Sequence, residues 1–236
     1  MHPTIQCASR MFIARIVDST RGSRKVDLAN GNPGPGNHRW YAGAYHTTLV
    51  QPGIKHKGIF LKLHCTTQEV LLRRCANFPL YHSDQASFDE WFYEEAHSID
   101  EIVRKTSPKV HWSLGRSQKL INILLKYCCA AYHCGGTCFQ QFATENQSLM
   151  QLTNYLHAPV DAATVKYAAR LAEPEQKERY SSLSWWHKDG MKKEDYQNIQ
   201  QLLNVAAAKL GMNRIHFEMA YVWSATGSSF IPRPIA

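Results

Sequence analysis

Apolar residues recur at helical spacing through most of the chain after residue 65, with polar residues between them. This pattern predicts amphipathic helices, each with one buried face. A first helix is predicted over residues 66–79 and a second over residues 88–104, each preceded by a capping-box pattern, Thr66-x-x-Glu69 and Ser87-x-x-Glu90. The second helix is expected to bury Phe88, Trp91, Phe92 and Ile99 and to keep Asp89, Glu90, Glu94 and Glu95 in solvent.

Residues 115–132 form the most apolar segment and predict a central helix. Further helices are predicted over residues 146–156, from Asp161 to Leu171, and along an apolar stripe that starts at Tyr196 and that Gly211 ends. After residue 214 the apolar residues alternate as in a strand while the surroundings favour helix, so the pattern leaves both states open. The chain is therefore predicted to be mostly α.

The first 65 residues have a different composition. Glycine, proline and basic residues dominate residues 19–58, which predicts loops. Two short alternating runs, 45–50 and 58–64, flank Pro52-Gly53 and predict a short β-hairpin. We expect a basic, loop-rich region over residues 1–65, a helical domain over 66–175, and C-terminal helices over 176–236 that pack with the N-terminal region.

Charge adds a hint about partners. The chain of 236 residues has a net charge of +8, and residues 1–74 hold 11 Lys and Arg against only Asp18, Asp27 and Glu69. A concentrated basic region suggests a polyanion such as nucleic acid, although a solvated basic face without a ligand fits the charge equally well.

Composition limits the class of protein. With 44% hydrophobic residues and no apolar run near the length of about 20 residues that spans a bilayer, we expect a globular protein without a membrane partner. The arginines within residues 1–18 argue against a signal peptide, and seven cysteines, an odd number, fit free thiols in a reducing compartment. These features predict a cytoplasmic protein.

A cluster of thiols and one imidazole occurs near the end of the central helix, and such side chains are zinc ligands. No Cys-x-x-Cys pair occurs in it, and its first two thiols fall inside the apolar helix. We therefore predict packing rather than metal binding, and no cofactor. The cluster comprises Cys128, Cys129, His133, Cys134 and Cys138.

Two segments contain the candidate functional residues. Residues 112–122 place a glycine turn at Gly115 before the apolar helix, with Arg116 and Lys119 in its first turns, and helix starts of this kind bind phosphate. Residues 156–166 place Asp161 after a proline at the start of another helix. From the pattern alone Asp161 is a helix cap.

The order of a glycine turn, Gly-Arg, an apolar helix, a connector, Pro-Val-Asp and a further helix resembles the helix-hairpin-helix DNA glycosylase superfamily over residues 109–171. The resemblance implies that fold, with Gly115, Arg116, Ser117 and Lys119 gripping the DNA backbone and Asp161 as the catalytic carboxylate. The hairpin of the family usually has two glycines, and Ser113-Leu114-Gly115 has one. The strand-cleaving lysine of bifunctional members is replaced by Ser117, so a monofunctional enzyme is implied.

A glycosylase must extrude its base into a pocket, for which Trp112, Gln118, Tyr155 and His157, with Trp185 and Trp186, are the aromatic and polar candidates. The expected function is excision of a base from double-stranded DNA, leaving an abasic site. A modified base is favoured, such as glucosylated hydroxymethylcytosine of phage DNA, which would make the protein a defence factor. No obligate protein partner is expected.

Two other interpretations stay open. The chain fits a non-catalytic nucleic-acid-binding protein that uses the same hairpin and basic face for backbone contacts. It also fits a helical protein or toxin whose positive N-terminal region docks an acidic protein.

Overall fold

A computed structural model of the chain describes residues 65–76, 78, 82–110, 112–133, 153–172 and 192–222. Within these ranges the chain is mostly helical and forms no strand, which confirms the predicted mostly α class. The N-terminal region with its predicted hairpin, the first part of the helix predicted over 146–156, and Trp185 and Trp186 lie outside the described residues.

The described helices have the order that the apolar pattern predicts. A last short helix, Arg214–Phe217, continues directly as a π-helical turn over Glu218–Val222. Residues 153–155 are also helical. The bounds are α1 Cys65–Ala76, α2 Gln85–Thr106, α3 Leu114–His133, α4 Ala162–Ala172, α5 Lys193–Lys209 and α6 Arg214–Phe217.

The start of α2 lies three residues earlier than predicted. Asp84 is the N-cap, because its carboxylate accepts a hydrogen bond from the Ser87 amide at 2.7 Å and its own amide donates to the Ser87 hydroxyl at 3.3 Å. The predicted cap at Ser87 is wrong, since Ser87 is the third residue of the helix and completes the box from inside. Likewise α1 already includes Cys65, so Thr66 is its second residue rather than its cap.

The exposed acidic face predicted for α2 is wrong at one position. Glu95 is buried, because it pairs with Arg74 of α1, whose Nη2 lies 2.9 Å from its Oε2. This pair fixes α1 on α2.

The end of α5 confirms the role predicted for Gly211. Gly211 has a φ of +66°, and its amide and the Met212 amide bond back to the carbonyls of Ala208 (3.0 Å) and Ala207 (3.1 Å). This is the hydrogen-bond pattern of a Schellman motif, in which a left-handed residue closes the helix.

The helices pack pairwise around one apolar core. The helix α3 lies against α2, α1 also contacts α2, and α5 lies between α4 and α6. The prediction that α3 is central is confirmed, because its middle turns are buried on nearly every side. The largest fully buried side chains are Leu71, Phe88, Phe92, Ile99, Ile121, Leu124, Leu125, Leu156 and Phe217.

The C-terminal alternation that left helix and strand open resolves as helix. Residues 214–220 are all buried, polar and apolar alike, so the segment has no solvent-facing side to produce helical periodicity. Neighbouring core residues surround it, which is why the sequence pattern did not distinguish the two states.

Candidate functional site

Asp161 lies immediately before α4 and caps it. Its Oδ1 accepts hydrogen bonds from the Thr164 amide at 2.9 Å and the Thr164 hydroxyl at 3.0 Å. These bonds hold the carboxylate at the positive end of the helix. Within the described ranges no hydrogen bond uses Oδ2, and Asp161 is partly exposed. The second oxygen can therefore meet a ligand while the first maintains the helix.

The segment that leads to Asp161, residues 156–160, is buried although it is not helical. Buried backbone groups need hydrogen-bond partners. Gln200 of α5 accepts from the Ala158 amide at 3.1 Å and donates to the Ala158 carbonyl at 2.9 Å. Asn122 of α3 donates to the same carbonyl at 3.3 Å. Side chains of two helices thus fix the backbone that positions Asp161.

Arg214 anchors the beginning of this segment. Its guanidinium is buried and donates to the carbonyls of Leu156 at 3.2 Å and Tyr155 at 3.1 Å. It also donates to Gln85 of α2 at 2.6 Å. The segment is therefore tied to α6 and α2 as well.

Four charged side chains form a cluster beside α4, which we call the charged cluster: Lys119 and Lys126 of α3, Asp161, and Glu218 of the π-helical turn. Glu218 lies within electrostatic range of the other three, and so does Lys119. Lys119 and Lys126 are two helical turns apart, which places them on one face of α3. Arg116 also lies within electrostatic range of Lys119, so with Arg116 included three positive charges meet two negative ones.

Lys126 and Glu218 are the buried half of the cluster. The Lys126 ammonium lies 2.9 Å from Glu218 Oε1, and the two side chains are 7% and 5% exposed. Burial raises the pKa of Glu218, and the charge of Lys126 opposes that rise. Such a pair is costly to desolvate and strongly destabilising to break.

Lys119 and Arg116 are the more accessible basic residues near the start of α3. Both are partly exposed, and burial lowers the pKa of each. The charge of Asp161 counteracts the lowering at Lys119. Two cations near the start of a helix, next to a carboxylate, suit a ligand with a phosphate beside an electron-poor centre.

A chain of hydrogen bonds links α2, the buried segment, α5 and α3. Asp89 Oδ1 lies 2.9 Å from His157 Nε2, His157 Nδ1 lies 3.1 Å from the Tyr196 hydroxyl, and Asn122 Nδ2 donates to that hydroxyl at 2.8 Å. Burial lowers the pKa of His157 to about 4, so the ring is neutral at pH 7. Because Asp89 can only accept, we assign the proton to Nε2, and Tyr196 donates to Nδ1.

The glycine turn predicted at Gly115 is wrong. Gly115 is the second residue of α3, and among the described glycines only Gly211 has a positive φ. The Trp112 indole donates to the Ser117 hydroxyl at 2.8 Å, and the Ser113 carbonyl accepts from the Ser117 amide at 3.3 Å. These bonds start the helix without a glycine turn, and they leave Ser117 buried.

The residues predicted to form a base pocket fall into two groups. Trp112 lies two residues before α3 and Gln118 lies on α3 beside Lys119, and both residues are buried. His157 lies against α2, as does Tyr155, whose hydroxyl donates to the Ser83 carbonyl at 3.3 Å. Gln118 therefore lies on α3 next to Lys119 of the charged cluster, whereas His157 belongs to the hydrogen-bond chain that includes Asp89 and Tyr196.

The sequence pattern did not single out Lys126, Glu218 or Asn122. A signal was present for α3, because Gln118, Asn122 and Lys126 recur every four residues in an otherwise apolar helix and so share one side of it. Glu218 had no local signal, since its partner is 92 positions away in the sequence.

Part of the cysteine cluster is described. Cys129 is fully buried, and its sulfur lies 3.7 Å from His216 Nε2. The side chains of Cys128 and His133, and all of Cys134 and Cys138, lie outside the described residues. Among the side chains that are described, no group of three histidines, cysteines or acids is placed to hold a metal.

Comparison of the chain with protein-family models, curated proteins and solved structures finds no match in any of the three. The functional assignment therefore rests on the geometry of these residues. None of the described helices is long and apolar enough to cross a membrane.

Proposed function

We propose that this chain is a monofunctional DNA glycosylase of the helix-hairpin-helix type, with Asp161 as its catalytic carboxylate. The observation that carries the proposal is the position of Asp161: Oδ1 is fixed by Thr164, no described hydrogen bond uses Oδ2, and Lys119 lies within electrostatic range. A fixed, partly exposed carboxylate beside a cation is what cleavage of an N-glycosidic bond needs.

The chemistry assigns a role to each charge. When the base leaves with the bonding electrons, positive charge develops on the deoxyribose, and the Asp161 carboxylate stabilises it. Oδ2 also orients the water that adds to the sugar carbon and accepts its proton. Lys119 and Arg116 neutralise the adjacent DNA phosphate. This reduces the electrostatic repulsion between the phosphate and the Asp161 carboxylate.

Two features of the fold support this proposal. The helices α2 and α3 pack together and are joined by the short connection 107–113, which is compatible with a helix-hairpin-helix unit that lacks the glycine turn of the family. The two hydrogen bonds between Gln200 and the backbone of Ala158 hold the segment that leads to Asp161, so the carboxylate is preorganised. The proposed substrate is a modified base in double-stranded DNA, with glucosylated hydroxymethylcytosine of phage DNA as one member of the class.

The test is base release by the full chain and by Asp161→Asn. Duplexes carry uracil, alkylated purines, oxidised bases, or hydroxymethylated and glucosylated cytosines, and abasic sites are scored by alkali cleavage. Asparagine caps helices as well as aspartate does, so the variant should fold. The matched control is Asp84→Asn, which changes the other aspartate cap, at α2. Release that Asp161→Asn abolishes and Asp84→Asn retains is the expected result.

A second candidate function is a non-catalytic nucleic-acid-binding module. The observation that favours it is that Asp161 is already occupied as the cap of α4. On this hypothesis DNA binding depends on salt and is unaffected by Asp161→Asn, and no substrate in the panel yields an abasic site.

A further inference from the structure

The buried segment 156–160 is held by more polar side chains than a helix cap requires. The two hydrogen bonds that Asp161 accepts from Thr164 complete the cap of α4 locally. Side chains from four other elements nevertheless bind the segment, and hydrogen-bonded side chains in a core fix one arrangement of the backbone. They are Asp89 of α2, Asn122 of α3, Tyr196 and Gln200 of α5, and Arg214 of α6.

Asn122 joins two parts of this network. Its Nδ2 donates to the Ala158 carbonyl at 3.3 Å and to the Tyr196 hydroxyl at 2.8 Å. The two N–H groups of a side-chain amide are rigidly joined, so a shift of the Tyr196 hydroxyl would turn the N–H group that the Ala158 carbonyl accepts. The position of this hydroxyl therefore affects the backbone that leads to Asp161.

The Tyr196 hydroxyl is in turn fixed by His157. It accepts from Asn122 and donates to His157 Nδ1 at 3.1 Å. Asp89 can only accept, so it keeps the ring proton on Nε2, 2.9 Å away, and leaves Nδ1 as the acceptor. Each bond from Asp89 to the Ala158 carbonyl thereby determines the direction of the next one.

We propose that Tyr196 and His157 are positioning residues for Asp161: the hydrogen bond between the Tyr196 hydroxyl and His157 Nδ1 holds the segment 156–160 in the arrangement that base excision requires. This inference rests on the proposed function, because it takes Asp161 as the reacting carboxylate. Both side chains act through the backbone, since each residue is only 2% exposed. Loss of the bond should lower the rate of base excision and leave DNA affinity unchanged, because a reacting group displaced by about 1 Å can cost about 100-fold in rate.

Two variants remove this hydrogen bond, and a third is the matched control. Tyr196→Phe removes the hydroxyl, and His157→Gln removes the Nδ1 acceptor while its amide can still donate to Asp89. Tyr93→Phe is the control. The Tyr93 ring packs edge-on against Tyr196 with centroids 6.0 Å apart, and its buried hydroxyl has no hydrogen-bond partner among the described residues. The control therefore removes a neighbouring hydroxyl that lies outside the network.

The first measurement is amide hydrogen exchange of the free protein, followed by NMR, and it needs no DNA. The Ala158 amide, which donates to Gln200, reports on the segment. The Thr164 amide, which donates to Asp161, reports on the carboxylate. The amide of Ile99, in the buried part of α2, is the reference for global unfolding.

Both bond-removing variants should accelerate exchange at Ala158 and Thr164 by about tenfold, the factor that the loss of one hydrogen bond corresponds to, and leave Ile99 unchanged. The control should change none of the three amides. A merely structural role of the bond would accelerate exchange at all three amides together, which overturns the proposal. If Tyr196→Phe does not fold, His157→Gln tests the same bond from its other side.

The second measurement compares single-turnover base release with the Kd for the same duplex, taken by fluorescence anisotropy. Each bond-removing variant should be slower by about tenfold or more at the Kd of the parent chain, and the control should match the parent chain in both quantities. Because the two substitutions remove one and the same bond, Tyr196→Phe combined with His157→Gln should be no slower than the slower single variant. Multiplied rate losses in the double variant would overturn the proposal.

The outcomes separate this inference from the glycosylase assignment. Base release at the parent rate in both bond-removing variants rejects the positioning role and leaves catalysis by Asp161 standing. No base release by the parent chain on any duplex rejects the proposed function. Selective exchange at Ala158 and Thr164 would then still support this hydrogen bond as the one that holds the segment, and unchanged exchange would reject that as well.

Discussion

Acidification should destabilise this protein through His157. The ring is 2% exposed and packs edge-on against Phe92, with ring centroids 4.6 Å apart. Both of its nitrogens are engaged, by Asp89 and by Tyr196. Burial lowers the pKa of His157 from 6.5 to about 4. A proton on Nδ1 would also remove the acceptor for the Tyr196 hydroxyl.

The direction and size of this loss of stability follow from proton binding. Between pH 6.5 and about 4 the unfolded chain binds a proton at His157 that the folded chain does not. His157 therefore causes no loss of unfolding free energy above pH 6.5, and the loss that it causes grows as the pH drops towards 4. At about 1.4 kcal/mol for each factor of ten in proton affinity, the loss is about 3 kcal/mol. Asp89 stays ionised in this window: burial alone would raise its pKa, but the hydrogen bond with His157 lowers it.

The assay is urea denaturation at pH 7 and pH 4.5, followed by circular dichroism, for the parent chain and for His157→Gln. Glutamine does not titrate, and its side-chain amide can donate the hydrogen bond that Asp89 accepts from His157, so the variant loses the pH dependence of His157 while the Asp89 carboxylate keeps a donor. The parent chain should lose about 2 to 3 kcal/mol more than the variant over this interval. An equal loss in both proteins would refute the argument that His157 is held neutral.

Three further outcomes are expected. Lys126→Met should cost about 3 to 5 kcal/mol of unfolding free energy in urea titrations, because Glu218 remains buried without its partner. Lys126→Met combined with Glu218→Met should recover most of this loss. No recovery in the double variant would contradict the assignment of Lys126 and Glu218 as a buried ion pair. Gly211→Ala should cost about 1 to 2 kcal/mol, measured by thermal unfolding, because its φ of +66° strains any side chain. Borohydride added during base release should trap no covalent adduct on DNA, because a monofunctional enzyme uses water; an adduct that Lys119→Met removes would instead make Lys119 the nucleophile.

Local patterns in the sequence were sufficient to predict most helices. The bounds of α3 and α5 agree with the prediction within a few residues, because a dense apolar stripe and a glycine stop are properties of neighbouring residues. The start of α2 was missed because Ser87-x-x-Glu90 has the usual capping-box sequence, whereas the box that forms uses Asp84 and Ser87, which depart from that sequence. The glycine turn failed because Trp112 anchors the start of α3 through Ser117.

The charged cluster was only half predictable. Asp161 and Lys119 were found because each lies at or near a recognisable helix start. Glu218 was not found, because it meets Lys126 only through a tertiary contact between the π-helical turn and α3. Buried pairing between distant segments depends on the tertiary fold, and a periodic pattern carries no information about it.

Excision of a base by means of the Asp161 carboxylate has a direct kinetic test. The most direct measurement compares single-turnover rates of abasic-site formation for the parent chain, Asp161→Asn and Asp84→Asn, on the substrate that the panel identifies. We expect Asp161→Asn to be slower by about 100-fold or more, the typical effect of losing one catalytic electrostatic group, and Asp84→Asn to be unchanged. Equal rates for all three proteins, or abasic sites from none of them, would show that Asp161 is only the cap of α4 and not a catalytic carboxylate.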